Sequence, residues 1–67
     1  MTWEELKAIG REYGYELFFS FKESEAIRNP YKNIIFYSNG NVEHNNEVIG
    51  KYINYDAMLV MIKLTNE

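Results

Sequence analysis

The first hydrophobic pattern along the chain has the period of a helix. Thr2 and Glu5 are spaced as a capping box, in which each side chain accepts a hydrogen bond from the backbone N–H of the other residue. Gly14 suits the left-handed conformation that ends many helices. Apolar and small residues recur between them at helical spacing: Trp3, Leu6, Ile9, Gly10 and Tyr13. We therefore predict a helix between Thr2 and Gly14, with Gly10 packed closely on a sheet.

A period of two follows directly and predicts a strand over residues 15–21. Alternate side chains of a strand point to opposite faces of its sheet. Phe18 therefore belongs to the outer set, together with Glu16, Ser20 and Lys22. We expect the other set to face the core: Tyr15, Leu17, Phe19 and Phe21.

The stretch from Lys22 to Lys32 shows neither period, and we predict a loop there, with a helical turn near residues 23–26 as an alternative. Asn29-Pro30 disfavours helix, because the residue before a proline avoids helical backbone angles. Lys22, Arg28 and Lys32 make this loop locally basic. Loops often contain functional residues, although a solvated connection is the simpler interpretation.

Asn39-Gly40 predicts a hairpin turn between strands over about residues 33–37 and 41–44, since both residues tolerate the positive φ of tight turns. Two turn types fit. One is a two-residue turn at Asn39-Gly40 itself. The other is a type I turn through Ser38-Asn39 in which Gly40 is the bulge residue.

The two turns differ in strand register. The two-residue turn would place Tyr37 opposite Val42. The turn with a bulge places Phe36 opposite Val42 and Ile34 opposite His44, which collects apolar residues on one face. A buried face fixes register strongly, so we prefer the second register.

The last third of the chain predicts a turn, a strand and a helix. The strand covers about residues 48–53, with Gly50 as a candidate bulge, and the helix covers about residues 55–65. Asn54 or Asp56 would cap it. Its apolar run would also fit a buried strand, but the cap and the Met, Leu and Ala content favour a helix. The expected inner stripe is Tyr55, Met58, Met61, Ile62 and Thr65.

These elements predict one small α+β domain over residues 1–67. Its N-terminal helix precedes a three- to four-stranded antiparallel sheet built as a meander of hairpins, and its C-terminal helix follows. We expect both helices to cover the same face of the sheet. No repeat or low-complexity segment divides the chain.

Composition supports a folded chain and narrows its chemistry. Of the 67 residues, 46% are hydrophobic and 16% aromatic, which is too apolar for disorder. The net charge of −3 lacks the basic surplus of nucleic-acid-binding proteins, which makes nucleic acid an unlikely partner. The chain has no cysteine, no signal-peptide pattern and no apolar run of membrane-spanning length. We expect a cytoplasmic protein without a membrane partner.

The sequence offers little for catalysis or metal binding. His44 is the sole histidine, and no further residues supply a set of metal ligands around it. No serine forms a recognisable nucleophilic pair with it. Asp56 is the only aspartate and is a candidate helix cap. We therefore expect no enzyme activity, no cofactor and no metal.

The outer face of the predicted sheet is the strongest candidate interface. It would present Phe18, Ile35 and Tyr37, and Tyr52 or the pair Ile49 and Ile53 would extend it. Contiguous exposed apolar residues commonly mark a binding surface. An exposed Phe36 together with a buried Tyr37 would remove this interface.

Three segments resemble a known class of protein. They are the opening TWEELKAIGREYGYELFF, the turn SNG and the closing helix YDAMLVMIKLTNE. Their order and the small size of the chain resemble short accessory proteins of prophages in low-GC Gram-positive bacteria. The resemblance implies a prophage context and transfers no site residues, since such proteins are largely without assigned activity.

Three functional hypotheses follow. The leading one is a non-enzymatic interaction module that forms a homodimer or binds a host or phage protein through the outer sheet face. The alternative is a weak binder of single-stranded nucleic acid that uses the exposed aromatics and the basic loop of Lys22, Arg28 and Lys32, with Lys51 nearby. The third, an inhibitor of a host protein, rests on the resemblance.

Overall fold

The computed structural model describes residues 1–19, 25–52 and 54–65. A helix, five strands and a second helix follow one another: α1 (Trp3–Glu12), β1 (Glu16–Phe19), β2 (Glu25–Asn29), β3 (Ile34–Tyr37), β4 (Asn41–His44), β5 (Glu47–Lys51) and α2 (Tyr55–Thr65). The strands form one antiparallel sheet in the order β1-β2-β3-β4-β5. Each strand therefore pairs with its neighbours in sequence, and the predicted α+β class is confirmed.

Strand β2 lies inside the stretch that the sequence predicts as a loop, so the sheet has five strands rather than three or four. Ala26 and Ile27 are buried between β1 and β3. Asn29 ends the strand, because its Oδ1 accepts hydrogen bonds from the N–H groups of Tyr31 at 3.0 Å and Lys32 at 3.3 Å. The prediction of a loop was wrong because two apolar residues are too few to show a period.

Helix α1 begins and ends as predicted. The N–H of Glu5 donates to Thr2 Oγ1 at 3.1 Å, and the N–H of Thr2 donates to Glu5 Oε1 at 2.9 Å, which completes the capping box. Gly14 follows the helix with a φ of +89°. A β-carbon on Gly10 would lie 3.0 Å from Cδ1 of Ile27, so glycine allows α1 to approach the sheet closely.

The hairpin between β3 and β4 adopts the register with the bulge glycine. Phe36 pairs with Val42 and Ile34 pairs with His44, as predicted. The N–H of Gly40 donates to the carbonyl oxygen of Tyr37 at 3.0 Å and closes the type I turn. The φ of Gly40 is +100°, which is the conformation expected of the bulge residue.

The next turn joins β4 to β5. Asn45 and Asn46 have φ angles of 52° and 70°, as a primed two-residue hairpin turn requires. The pairing then shifts between Val42 and Glu43, and Ile49 on β5 is left without an opposite residue. Ile53, the predicted end of this strand, lies outside the described residues.

Helix α2 confirms the prediction of a helix rather than a strand. The side-chain Oδ1 of Asn54 accepts a hydrogen bond from the N–H of Ala57 at 2.9 Å, the bond of an N-cap residue. Met58 and Ile62 are fully buried within the predicted inner stripe. Neither helix in the described residues is long and apolar enough to cross a membrane.

The main core joins both helices to the middle of the sheet. Its buried members are Leu6, Tyr15, Ile27, Ile34, Phe36, Val42, Met58 and Ile62. Leu17 and Phe19, which we expected in this core, are instead 50% and 71% exposed. The expectation was wrong because β1 is an outermost strand, so the side chains beyond Ile27 are not covered. Phe21, the last member of the predicted set, lies outside the described residues.

Candidate interaction surface

The structure brings three of the four predicted interface residues together. Phe18 packs against a second buried cluster that contains Ile35, Tyr37 and Ala26. These residues alternate with those of the main core along their strands, so they occupy the other face of the sheet. Tyr52 does not join them, because it packs against the main core.

This second cluster exposes little surface. Ile35 is 8% exposed and Tyr37 is 6% exposed, whereas Phe18 is half-buried. Phe36 is fully buried, as the predicted interface requires, but Tyr37 is buried as well. The outer face therefore presents much less apolar area than the strand pattern predicts.

The structure places Arg28 and Lys32 of the predicted basic loop in different elements. Arg28 lies on β2, where its guanidinium sits 4.9 Å from the ring centroid of Phe18 and 3.2 Å from Glu16 Oε1. Lys32 lies in the turn before β3 and is half-buried, and Lys22 lies outside the described residues. Arg28 is thus engaged with side chains of β1.

Strand β1, at the edge of the sheet, has two exposed apolar side chains on the face that carries the main core. Leu17 pairs with Ile27, and Phe19 pairs with Glu25, so both lie on the face that carries the main core. Both side chains are at least half exposed. Sequence reasoning expected the helices to cover these two residues, but α1 packs on β2, through Gly10 against Ile27 and through Trp3 and Lys7 to Glu25.

A groove runs between α1 and β1 beside this pair. It has a volume of about 200 Å³, and Leu17, Ile27 and Ala8 are among its apolar lining residues. Its charged lining residues are Glu4, Lys7, Arg11 and Glu16. An apolar floor between charged rims is the usual composition of a protein-binding surface.

Polar contacts fix α1 on β2. Trp3 Nε1 donates to Glu25 Oε1 at 3.0 Å, and the ammonium of Lys7 forms an ion pair with the same carboxylate. Lys7 Nζ also lies 3.0 Å from Glu4 Oε1. The hydrogen bond from Lys7, followed by that from Trp3, lowers the pKa of Glu25. The carboxylates of Glu25 and then Glu4 raise the pKa of Lys7.

A second, more polar pocket of about 330 Å³ lies where the β3–β4 turn meets the start of α2. Tyr55 lines it, and its hydroxyl donates to the carbonyl oxygen of Ser38 at 2.8 Å. Asn39, Asn54 and Asp56 also line it. The amides of Asn39 and Asn54 fix the turn and the helix start, and Asp56 forms an ion pair with the N-terminal ammonium at 3.6 Å.

The described residues contain no group of three or more His, Cys, Asp or Glu side chains that could hold a metal ion. His44 is exposed at the end of β4, opposite Ile34 and Glu47. Burial raises the pKa of the Tyr15 hydroxyl, and a contact with the Thr65 hydroxyl at 3.5 Å partly opposes this. Comparison of the chain with protein-family models, curated proteins and solved structures returned no match.

Proposed function

We propose that this chain is a non-enzymatic protein-interaction module that binds through its β1 edge. The proposed binding surface, called the edge surface below, consists of Leu17, Phe18 and Phe19 on β1 with Glu4, Ala8 and Arg11 on α1. The observation that supports it is the exposure of Leu17 and Phe19 on an outermost strand. An outermost strand offers unpaired backbone groups to a strand of a partner, and the exposed side chains add apolar area.

The edge surface keeps one residue of the interface predicted from sequence. Phe18 belongs to both, whereas Ile35 and Tyr37 are too buried to contribute much contact area. We further propose that both helices cover the same face of the sheet, because Leu6 and Met58 share one core cluster.

The biological setting is part of the proposal. Resemblance to prophage accessory proteins supports a phage product that acts as a single domain in the cytoplasm of a bacterial host. Its partner would be a second copy, a phage protein or a host protein. The nucleic-acid alternative gains no support, because Arg28 pairs with Glu16 and the Tyr37 ring is buried.

A pair of matched variants tests the proposed function. Leu17→Lys places a charge on the edge surface, and Val60→Lys places the same charge on α2 at a similarly exposed position. We expect Leu17→Lys to abolish self-association in sedimentation and the capture of any specific host protein, with an unchanged circular dichroism spectrum. Val60→Lys should behave as the wild type. Equal behaviour of the two variants would contradict the edge surface as the binding site.

A further inference from the structure

We propose that the partner of the edge surface is a second copy of this chain. The two β1 strands would pair antiparallel with Phe18 of one copy opposite Phe18 of the other. This inference rests on the proposed function, since it names the partner of the same surface. A two-fold axis perpendicular to the sheet would join two five-stranded sheets into one continuous sheet.

The two edges of the sheet differ in how well they are protected against pairing with a strand of another molecule. On β5 the pairing is interrupted next to Val42, and Glu47 and Lys51 place charges at both ends of the strand. Bulges and charges are the devices by which natural sheets prevent pairing at an edge. On β1 the pairing with β2 is regular, and its one charged residue, Glu16, is paired with Arg28 of β2 at 3.2 Å. The open edge is therefore β1.

The proposed register matches apolar residues with each other. Directly opposed residues of an antiparallel pair lie on the same face of the sheet. With Phe18 at the axis, Leu17 lies opposite Phe19 of the second copy, and this contact occurs twice. Both residues are exposed in the single chain and would cover each other. A shift by one residue would place Leu17 opposite Phe18 of the second copy. The core faces of the two copies would then lie on opposite sides of the joined sheet.

The direction of α1 relative to β1 follows from contacts with β2. Glu25, which bonds to the first half of α1, lies opposite Phe19 in the sheet. Ile27, which touches Gly10 in the second half of α1, lies opposite Leu17. The start of α1 is therefore level with Phe19, and its end is level with Leu17.

This alignment makes the charges of two α1 helices complementary. When Leu17 lies opposite Phe19 of the second copy, Arg11 near the end of one helix faces Glu4 near the start of the other. Ala8 lies between them along the helix and is too small to block these two long side chains. Arg11 forms no ion pair with any described residue. Glu4 Oε1 lies 3.0 Å from Lys7 Nζ, but the Glu4 side chain is largely exposed, so its carboxylate can also accept from Arg11 of the second copy.

Disulfide cross-linking tests the register directly, because the chain has no cysteine of its own. Opposed residues of an antiparallel pair have Cα atoms about 4.5–5.5 Å apart, which is within the range for a disulfide. We expect a mixture of L17C and F19C to form cross-linked dimers much faster than either variant alone. I49C, a similarly exposed position on β5, serves as the control.

Each outcome of the cross-linking decides a separate point. Preferential cross-linking within L17C alone, or within F19C alone, would overturn the register. Cross-linking no faster than that of I49C would overturn the dimer. A monomeric chain that binds a different protein, in a way that Leu17→Lys abolishes, would refute this inference and leave the proposed function standing. A monomer with no partner would remove both.

A charge exchange tests the helix contact separately. Arg11→Glu and Glu4→Arg should each raise the dissociation constant of the dimer several-fold, since each single change brings like charges together. The double variant should return to near the wild-type value, because the exchanged charges pair again across the axis. A double variant as weak as the single ones would overturn the proposed helix contact. Circular dichroism controls for folding.

Discussion

Gly40 and Tyr52 are in direct backbone contact between the β3–β4 turn and the end of β5. The N–H of Tyr52 donates to the carbonyl oxygen of Gly40 at 2.8 Å. A β-carbon on Gly40 would lie 2.5 Å from the carbonyl oxygen of Tyr52. The turn that sets the register of β3 and β4 therefore also fixes the position of the segment between β5 and α2.

Gly40→Ala should destabilise the chain by at least about 2 kcal/mol, because it combines an unfavourable φ with a backbone clash. Chemical denaturation measures the change. Gly50→Ala is the matched control, since a β-carbon there would have no neighbour within 4 Å. That control should change stability by less than about 0.5 kcal/mol. Equal losses in the two variants would contradict the role assigned to Gly40.

The close approach of α1 to β2 gives a second prediction. Gly10→Ala should destabilise the chain by about 1 kcal/mol, because crowding against the Ile27 side chain outweighs the helix propensity of alanine. In an Ile27→Val background, which lacks the crowding Cδ1 methyl, the same substitution should become stabilising. A double-mutant cycle by thermal unfolding measures the difference. Additive effects would show that the 3.0 Å approach has no energetic consequence.

The end of β2 depends on a buried amide. Asn29 is 4% exposed, and its Oδ1 accepts bonds from the N–H groups of Tyr31 and Lys32. Asn29→Ala should cost about 1–3 kcal/mol, since it leaves both donors without this acceptor. Asn39→Ala removes a similar bond, to the N–H of Asn41, at an exposed turn where water can replace it. A larger loss in Asn39→Ala than in Asn29→Ala would contradict this account.

The ion pair between Glu25 and Lys7 predicts a pH dependence of stability. The pKa of Glu25 is lowered below its usual value of 4.5, so folding favours the ionised carboxylate. Its stabilising effect is present above pH 4.5 and is lost as the pH falls through the folded-state pKa. Glu25→Gln should therefore lose less stability than the wild type between pH 6 and pH 3. Parallel profiles of melting temperature against pH for the two chains would refute this.

Most of the fold could be predicted from local signals. The capping box joins Thr2 and Glu5, and the amide cap joins Asn54 to Ala57. Each contact spans three positions, so a local sequence pattern is enough to predict it. The bulge at Gly40 required a further argument about which register buries Phe36. That argument succeeded because a buried face excludes the alternative register.

Strand β2 and the exposure of β1 could not be predicted in the same way. Only Ala26 and Ile27 of the strand are apolar, and the burial of Ala26 depends on strands on both sides. Whether Leu17 is covered depends on which strand α1 packs against, and α1 packs on β2. These properties arise from tertiary pairing, so the candidate site moved from the outer face to β1.

Backbone hydrogen exchange at β1 is the most direct test of the proposed interface. Pairing of two β1 strands would give at least one outward-pointing amide of residues 17–19 a hydrogen-bond partner, whichever of these amides faces the edge. We predict that exchange at these amides slows as protein concentration rises from micromolar to millimolar, while exchange in β5 stays constant. Leu17→Lys should remove this dependence. Exchange in β1 that is independent of concentration would contradict self-association through this edge.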